Sequence, residues 1–238
     1  MPTPYNLDVQ QQCSSCTLRK DGYFCAMSPA AVQSIEAVKF TGVYPKGSML
    51  FVEGEKPRGV FILCSGRAKL MTSSSEGRTL IAKIAEPGEI LGVSAAILGT
   101  PYELSAETLE PSQVNFLRTE EFLALLGRHP EASMQTAQQL STTYQSAQRQ
   151  IRSLGLSQTT TEKLARLILD WCERGEQTTT GVRLKVLLTH EEIAQRIGTT
   201  RETVTRLISE FKRRKIIDVK GSTVLVPVPA GLMDMVTI

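Results

Sequence analysis

Residues 189–213 read T-H-E-E-I-A-Q-R-I-G-T-T-R-E-T-V-T-R-L-I-S-E-F-K-R, and they bring two arginines, a glutamate and a threonine into one helical stretch. At roughly 100° per residue, Arg201, Glu202, Thr205 and Arg206 fall on one side, with Val204, Leu207, Ile208 and Phe211 on the other. An arginine fork matches the two acceptors on the major-groove edge of guanine, and a carboxylate accepts from the amino group of cytosine. The chemistry these spacings predict is recognition of base edges in double-stranded DNA.

Such a helix has to be held out from a body, and the preceding residues supply the means. Thr189 and Glu192 form a capping-box pair that opens a first helix, because hydroxyl and carboxylate can satisfy each other's orphan amides. Ile193 and Ile197 give that helix a buried stripe, and Ala194 is small enough for a second helix to cross closely. Gly198 stands where the connecting turn wants positive φ, and Thr200 caps the second helix. The expected reader is a helix-turn-helix whose contact set is Thr189, His190, Thr199, Thr200, Arg201, Glu202, Thr205, Arg206 and Lys212.

The chain has 238 residues, 41% of them hydrophobic, enough for one or two buried cores, and two is the expectation. No run of eighteen apolar residues and no basic-then-apolar leader is present, so a cytoplasmic protein without a membrane partner is expected. The net charge of +3 is unevenly placed: residues 196–220 hold 8 basic against 3 acidic side chains, as phosphate contact favours. The two histidines, His129 and His190, lie far apart without triad or metal-ligand spacing, and no phosphate-cradling Gly-Lys-Ser loop occurs. An enzyme is therefore not expected.

From about 38 to 118 short apolar runs such as Gly59–Leu63 and Leu80–Ile84 alternate with glycine turns at Gly47, Gly54, Gly66, Gly77 and Gly88, which predicts a compact β-roll. Residues 119–156 turn helical. Ala137, Leu140, Tyr144, Ala147, Ile151 and Leu154 recur at steps of three and four, the seam of a coiled coil, so homodimerisation is the expected use of that helix. A twin would set two reading helices about 34 Å apart in successive major grooves. After a hinge near Gly155–Ser157, a helix begins at Glu162, and a hairpin around Gly221-Ser222 adds a wing. The expected class is α+β: a cysteine-bearing N-terminal segment over 1–30, a jelly-roll-like sensor over 31–130, a dimerisation helix over 131–156 and a winged helix-turn-helix over 157–238.

In this order of parts the chain resembles the bacterial regulators of the cyclic-AMP receptor protein and fumarate-nitrate reduction (CRP/FNR) superfamily, most specifically through R-E-T-V-T-R at 201–206. The resemblance implies a transcription regulator that binds a TGTGA-like inverted repeat as a homodimer, with RNA polymerase as a partner and base contacts from Arg201, Glu202 and Arg206. It also implies a cyclic nucleotide in the roll, but the residues argue against cyclic AMP. Gly92 is followed by Val93 and Ser94 where those members place a glutamate for the ribose, and Glu103 stands in the stretch where a cation should meet the phosphate. Ala147-Gln148 replaces the Thr-Ser pair that reaches the adenine.

Cys13, Cys16 and Cys25 resemble instead the N-terminal cysteines with which the oxygen-sensing branch holds a [4Fe-4S] cluster. Soft thiolates suit iron-sulfur chemistry or zinc. The branch's fourth cysteine falls at Asn115 here, which leaves Cys64 as the other nearby thiol and Asp21 as an oxygen donor. The three cysteines are open to a cluster, a zinc or thiol switch, or a structural role. The alternative function is a cytosolic cysteine-based redox or iron-sulfur sensor without direct base readout.

Overall fold

The structure is a computed structural model that describes residues 5, 7–19, 24–157 and 159–236. Asp21 lies outside the described residues. The chain divides into two compact units, residues 1–77 with 82–147, and residues 78–81 with 148–238.

In the first unit a 3-10 turn at Cys13–Ser15 precedes helix α1 (Pro29–Val38). Ser28 caps α1 by accepting from the Ala31 amide, and Pro29 occupies the first turn, where a missing N–H leaves nothing unpaired. The strands β1 (Phe40–Tyr44), β2 (Met49–Phe51), β3 (Gly59–Ser65), β4 (Ala68–Ser73), β5 (Thr79–Ala85) and β6 (Ile90–Leu91) follow. Helix α2 (Val93–Leu98) leads to β7 (Ser105–Thr108) and β8 (Ser112–Arg118). The strands form two four-stranded sheets, ordered β1-β8-β3-β6 and β2-β7-β4-β5.

The unbroken apolar run of β3 is explained by burial on both faces. Side chains alternate along a strand, so Val60 and Ile62 join the core beneath the head and α1, while Phe61 and Leu63 join the core between the sheets. Tyr102 seals that inner core, stacked on Phe51 at 4.3 Å between ring centroids and donating its hydroxyl to the Gly59 carbonyl at 2.7 Å. A Cβ on Gly59 would lie 1.9 Å from the Leu117 carbonyl oxygen, so only glycine fits there.

Two helices close the unit, α3 (Thr119–Arg128) and α4 (Pro130–Leu156). The helical stretch expected from residue 119 is thus divided. The residue before a proline is pushed out of the α region, and His129 takes φ −126° and ψ 97°. Ala132 and Thr136 of α4 are buried, and Gln139 extends their stripe by clasping Ile90: its Oε1 accepts from the Ile90 amide at 3.1 Å and its Nε2 donates to the Ile90 carbonyl at 2.7 Å.

The second unit contains α5 (Thr160–Cys172), β9 (Glu176–Thr178), β10 (Gly181–Lys185), α6 (His190–Ile197) and α7 (Arg201–Arg213), then β11 (Asp218–Lys220), β12 (Thr223–Val226) and α8 (Ala230–Met233). The order β11-β12-β10-β9 makes a small antiparallel wing. Leu164, Ile168, Leu184, Ile193, Val204 and Phe211 share its core. The β9–β10 hairpin and the short helices α2 and α8 have no counterpart in the sequence expectation. α2 is six residues between Gly92 and Gly99, both left-handed, and so shows no period to read.

Gly198 closes α6 at φ 68°, the left-handed conformation that links the two helices. A side chain there strains the backbone by about 1–2 kcal/mol. Gly198→Ala is expected to lower the unfolding free energy of the second unit by that amount in urea titrations, with an unchanged slope; an unaltered midpoint would contradict this account of the turn.

Candidate nucleic-acid interface and sensor elements

The reading helix is anchored before it is exposed. Thr189 accepts from the Glu192 amide at 3.2 Å while Glu192 Oε2 accepts from the Thr189 amide at 2.8 Å, the reciprocal cap expected of α6. Thr200 accepts from the Thr203 amide at 3.3 Å and opens α7. Val204, Leu207 and Phe211 are buried, with Ile208 half-buried beside them. Arg201, Glu202, Thr205, Arg206 and Lys212 are exposed in consequence.

The side chains of Arg201, Glu202 and Arg206 make no ion pair or hydrogen bond among the described residues, so their forks and carboxylate are available to a ligand. Thr205 differs. Its hydroxyl donates to the Arg201 carbonyl at 2.9 Å and therefore accepts from His190 Nδ1, 2.8 Å away. Its outward offer is the methyl group, a partner for the thymine methyl. His190 is likewise engaged in fixing α6 to α7, which the sequence alone does not reveal. Thr199 is half-buried in the turn.

On α4 the seam is exposed along most of its length. Leu140 is 36% exposed, Tyr144 66% and Ile151 64%, with Ala137 and Ala147 of the same seam also open. Met134, 59% exposed and one turn earlier, lengthens this apolar stripe beyond the residues picked out by spacing. Leu154 is the exception: it is half-buried and packs within its own unit beside Gly198, with Cδ2 3.4 Å from the position a Cβ there would take.

Between the roll and α4 lies a cleft of about 110 Å³, lined by Phe51, Leu70, Lys83, Glu103, Gln139 and Leu140 among others. Sites for drug-sized ligands occupy about 300 Å³ or more. Lys83, the cation of this lining, is paired with Glu89 and donates to Thr143 Oγ1 at 3.3 Å. A phosphate arriving here would meet a lysine already neutralised and the Glu103 carboxylate.

The cysteine-bearing head is tied to the roll. Gln10 and the fully buried Gln113 exchange two hydrogen bonds, of 2.8 and 2.7 Å, and the Phe24 amide donates to the Gly88 carbonyl at 3.0 Å. Gly88 in turn donates to the Leu63 carbonyl at 2.7 Å, which places Cys25 and Cys64 in adjoining layers. Cys13, Cys16, Cys25 and Cys64 are all free thiols, and Cys25 is pushed up to about 12 by burial and by the charge of Cys64, Cys13 and Cys16. Cys64 is pushed up to about 12 by burial and by Cys13 and Cys16. Protonated thiols are poor nucleophiles, so burial leaves these two weakly nucleophilic. The donor set is chemically right for a soft metal, although no three His, Cys, Asp or Glu among the described residues stand close enough to hold a single ion.

Residues 41–129 match the cyclic nucleotide-binding domain family and residues 162–235 the Crp-like helix-turn-helix domain family. The chain is 26% identical over 210 residues to a CRP-like cAMP-activated global transcriptional regulator of Mycobacterium tuberculosis, covering 88% of this chain and 93% of that protein. It is 28% identical over 191 residues to the fumarate and nitrate reduction regulatory protein of Vibrio cholerae, covering 80% and 76%. Among solved structures, a CooA variant from Carboxydothermus hydrogenoformans shares the fold with a TM-score of 0.74 at 21% identity, over 96% of each chain. The c-di-GMP responsive regulator CLP of Xanthomonas campestris does so with 0.74 at 18%, over 84% of this chain and all of that one. With a roll of the nucleotide-binding type, a long helix and a winged reader each in place, the chain belongs to the CRP/FNR family of DNA-binding transcriptional regulators, which are not enzymes.

Proposed function

We propose that this protein is a cytoplasmic, homodimeric transcription regulator that binds a TGTGA-like inverted repeat and acts with RNA polymerase under control of an effector at its roll or head cysteines. The observation that carries this reading is the unpaired, outward set Arg201, Glu202 and Arg206 on a helix whose other face is buried. Arg201 and Arg206 supply guanine-type donors, Glu202 a cytosine-type acceptor and Thr205 a methyl contact. The surrounding excess of basic charge supplies phosphate attraction, so affinity falls steeply with salt. Consistent with a cytoplasmic site of action, no described helix is long and apolar enough to cross a membrane.

The exposed stripe of α4 is the dimer surface in this reading, since Tyr144 and Ile151 are large apolar side chains at seam spacing and mostly exposed. Leu140 belongs both to that stripe and to the cleft, and Gln139 beside it clasps β6. A ligand in the cleft therefore bears directly on the helix that pairs the subunits. Allostery of this kind requires the effector to prefer one arrangement of that pair.

Three outcomes test the reading. Arg206→Ala is expected to weaken operator binding by about 1–3 kcal/mol and to relax preference at one base pair of each half-site, measured by fluorescence anisotropy on singly substituted duplexes; an equal loss on every duplex would reduce Arg206 to a phosphate contact. Tyr144→Lys with Ile151→Lys should turn the dimer into monomers by light scattering, and a persistent dimer would move the interface elsewhere. Cyclic AMP at about 1 mM, a concentration that reveals even ligands of about −4 kcal/mol, is expected to give no calorimetric heat. Micromolar binding would overturn the charge argument made for Lys83, Glu89 and Glu103.

A further inference from the structure

A free threonine hydroxyl both donates and accepts, and it rotates to suit its partner, so on a DNA-reading face it meets donor and acceptor edges alike and discriminates poorly. The hydroxyl of Thr205 is not free. It donates to the Arg201 carbonyl at 2.9 Å, one turn back along α7, and that bond uses its single proton. His190 Nδ1, 2.8 Å away, must then be the donor of the second bond, which makes Nδ1 a protonated ring nitrogen. Two bonds in different directions hold χ1 of Thr205 in one rotamer. The group left to a ligand is the Cγ2 methyl.

Both ends of this contact are themselves fastened. His190 is the first residue of α6 and half-buried, and the residue before it carries the reciprocal cap with Glu192. On α7 the Ser209 hydroxyl donates to the Thr205 carbonyl at 2.9 Å, and the adjacent Val204 is fully buried. Thr205 itself stays exposed. Its side chain is thus fixed from within the protein while remaining open to a ligand.

We infer that His190 is a positioning residue for base selection: by occupying the Thr205 hydroxyl it turns that side chain from a polar contact of low discrimination into a methyl contact that selects thymine. The inference rests on the reading of α7 as a base-reading helix and deepens it, because it names a residue outside α7 that sets which base Thr205 takes. The C5 methyl of thymine is the major-groove feature that an apolar group recognises. Arg201, Glu202 and Arg206 select by hydrogen bonds, whereas this contact selects by removing two methyl groups from water. A histidine that touched only phosphate would strengthen binding to every sequence alike.

The test uses the duplex that the native chain selects from a random pool, with each thymine replaced singly by deoxyuridine, which removes the methyl and leaves the base pair intact. At one thymine of each half-site the native chain is expected to lose affinity about fourfold, the contribution of one buried methyl. Thr205→Ser, which keeps the hydroxyl and lacks the methyl, should bind the thymine and uracil duplexes equally. His190→Ala is expected to abolish the same discrimination, and His190→Asn, whose amide nitrogen is bonded to Cγ as Nδ1 is, to restore it. Circular dichroism and the urea midpoint confirm that each variant is folded. A uracil penalty that survives in folded His190→Ala, with or without an equal loss on all duplexes, would overturn the inference, as would a selected half-site in which no thymine methyl counts. Those failures leave the regulator reading intact; a native chain that selects no duplex at all overturns that reading and this inference with it.

Discussion

A helix that buries Val204, Leu207 and Phe211 has no freedom in where it sends Arg201, Glu202 and Arg206. That one-sided burial is the constraint on which the rest depends. Each large apolar side chain taken fully out of water contributes about 1.5–3 kcal/mol, more than any rotation of the helix could recover by solvating an arginine that is already solvated. The His190–Thr205 hydrogen bond, the Gly198 turn and the Thr200 cap then fix the remaining degrees of freedom, namely roll, crossing and starting point. Chemical selectivity is left to residues that do no packing, so they can change without loss of the fold.

The first unit obeys the same economy in a different geometry. β3 serves two cores at once, and the cysteine-bearing head and α4 are fastened to it or to its neighbours by paired glutamine clamps, Gln113 to the head and Gln139 to β6. Each clamp uses one amide to satisfy both a backbone N–H and a carbonyl, which makes it intolerant of a shift in register. In the proposed function, a change at the cysteines or in the cleft would thereby be passed to backbone rather than absorbed by loose side chains. α4 lines that cleft with Gln139 and Leu140, next to the stripe proposed for the partner subunit.

The reader was legible because its signals are local. The Thr189–Glu192 box, Gly198 and the opposed faces of α7 each involve residues within a few positions of one another, where helical geometry converts spacing directly into direction. The roll was legible as a class through its glycine turns, but α2 and the β9–β10 hairpin were not, being too short to show a period. The split at His129-Pro130 was written in the sequence as a proline rule and masked by helical residues on both sides. What could not be read is long-range: that Thr205 spends its hydroxyl on His190 and Arg201, that Leu154 turns toward Gly198, and that Asn115 lies between Cys13 and Cys64. These depend on strand register and helix crossing, which residue types do not encode one by one.

The central claim is that the outward face of α7 reads bases. Selection of bound sequences from a pool of random duplexes by the intact chain tests it most directly. The account predicts enrichment of an inverted repeat whose half-sites each carry guanines for Arg201 and Arg206 and a cytosine for Glu202, separated by about one helical turn between centres. A pool that emerges without a shared motif, or with a single unrepeated element, would contradict it.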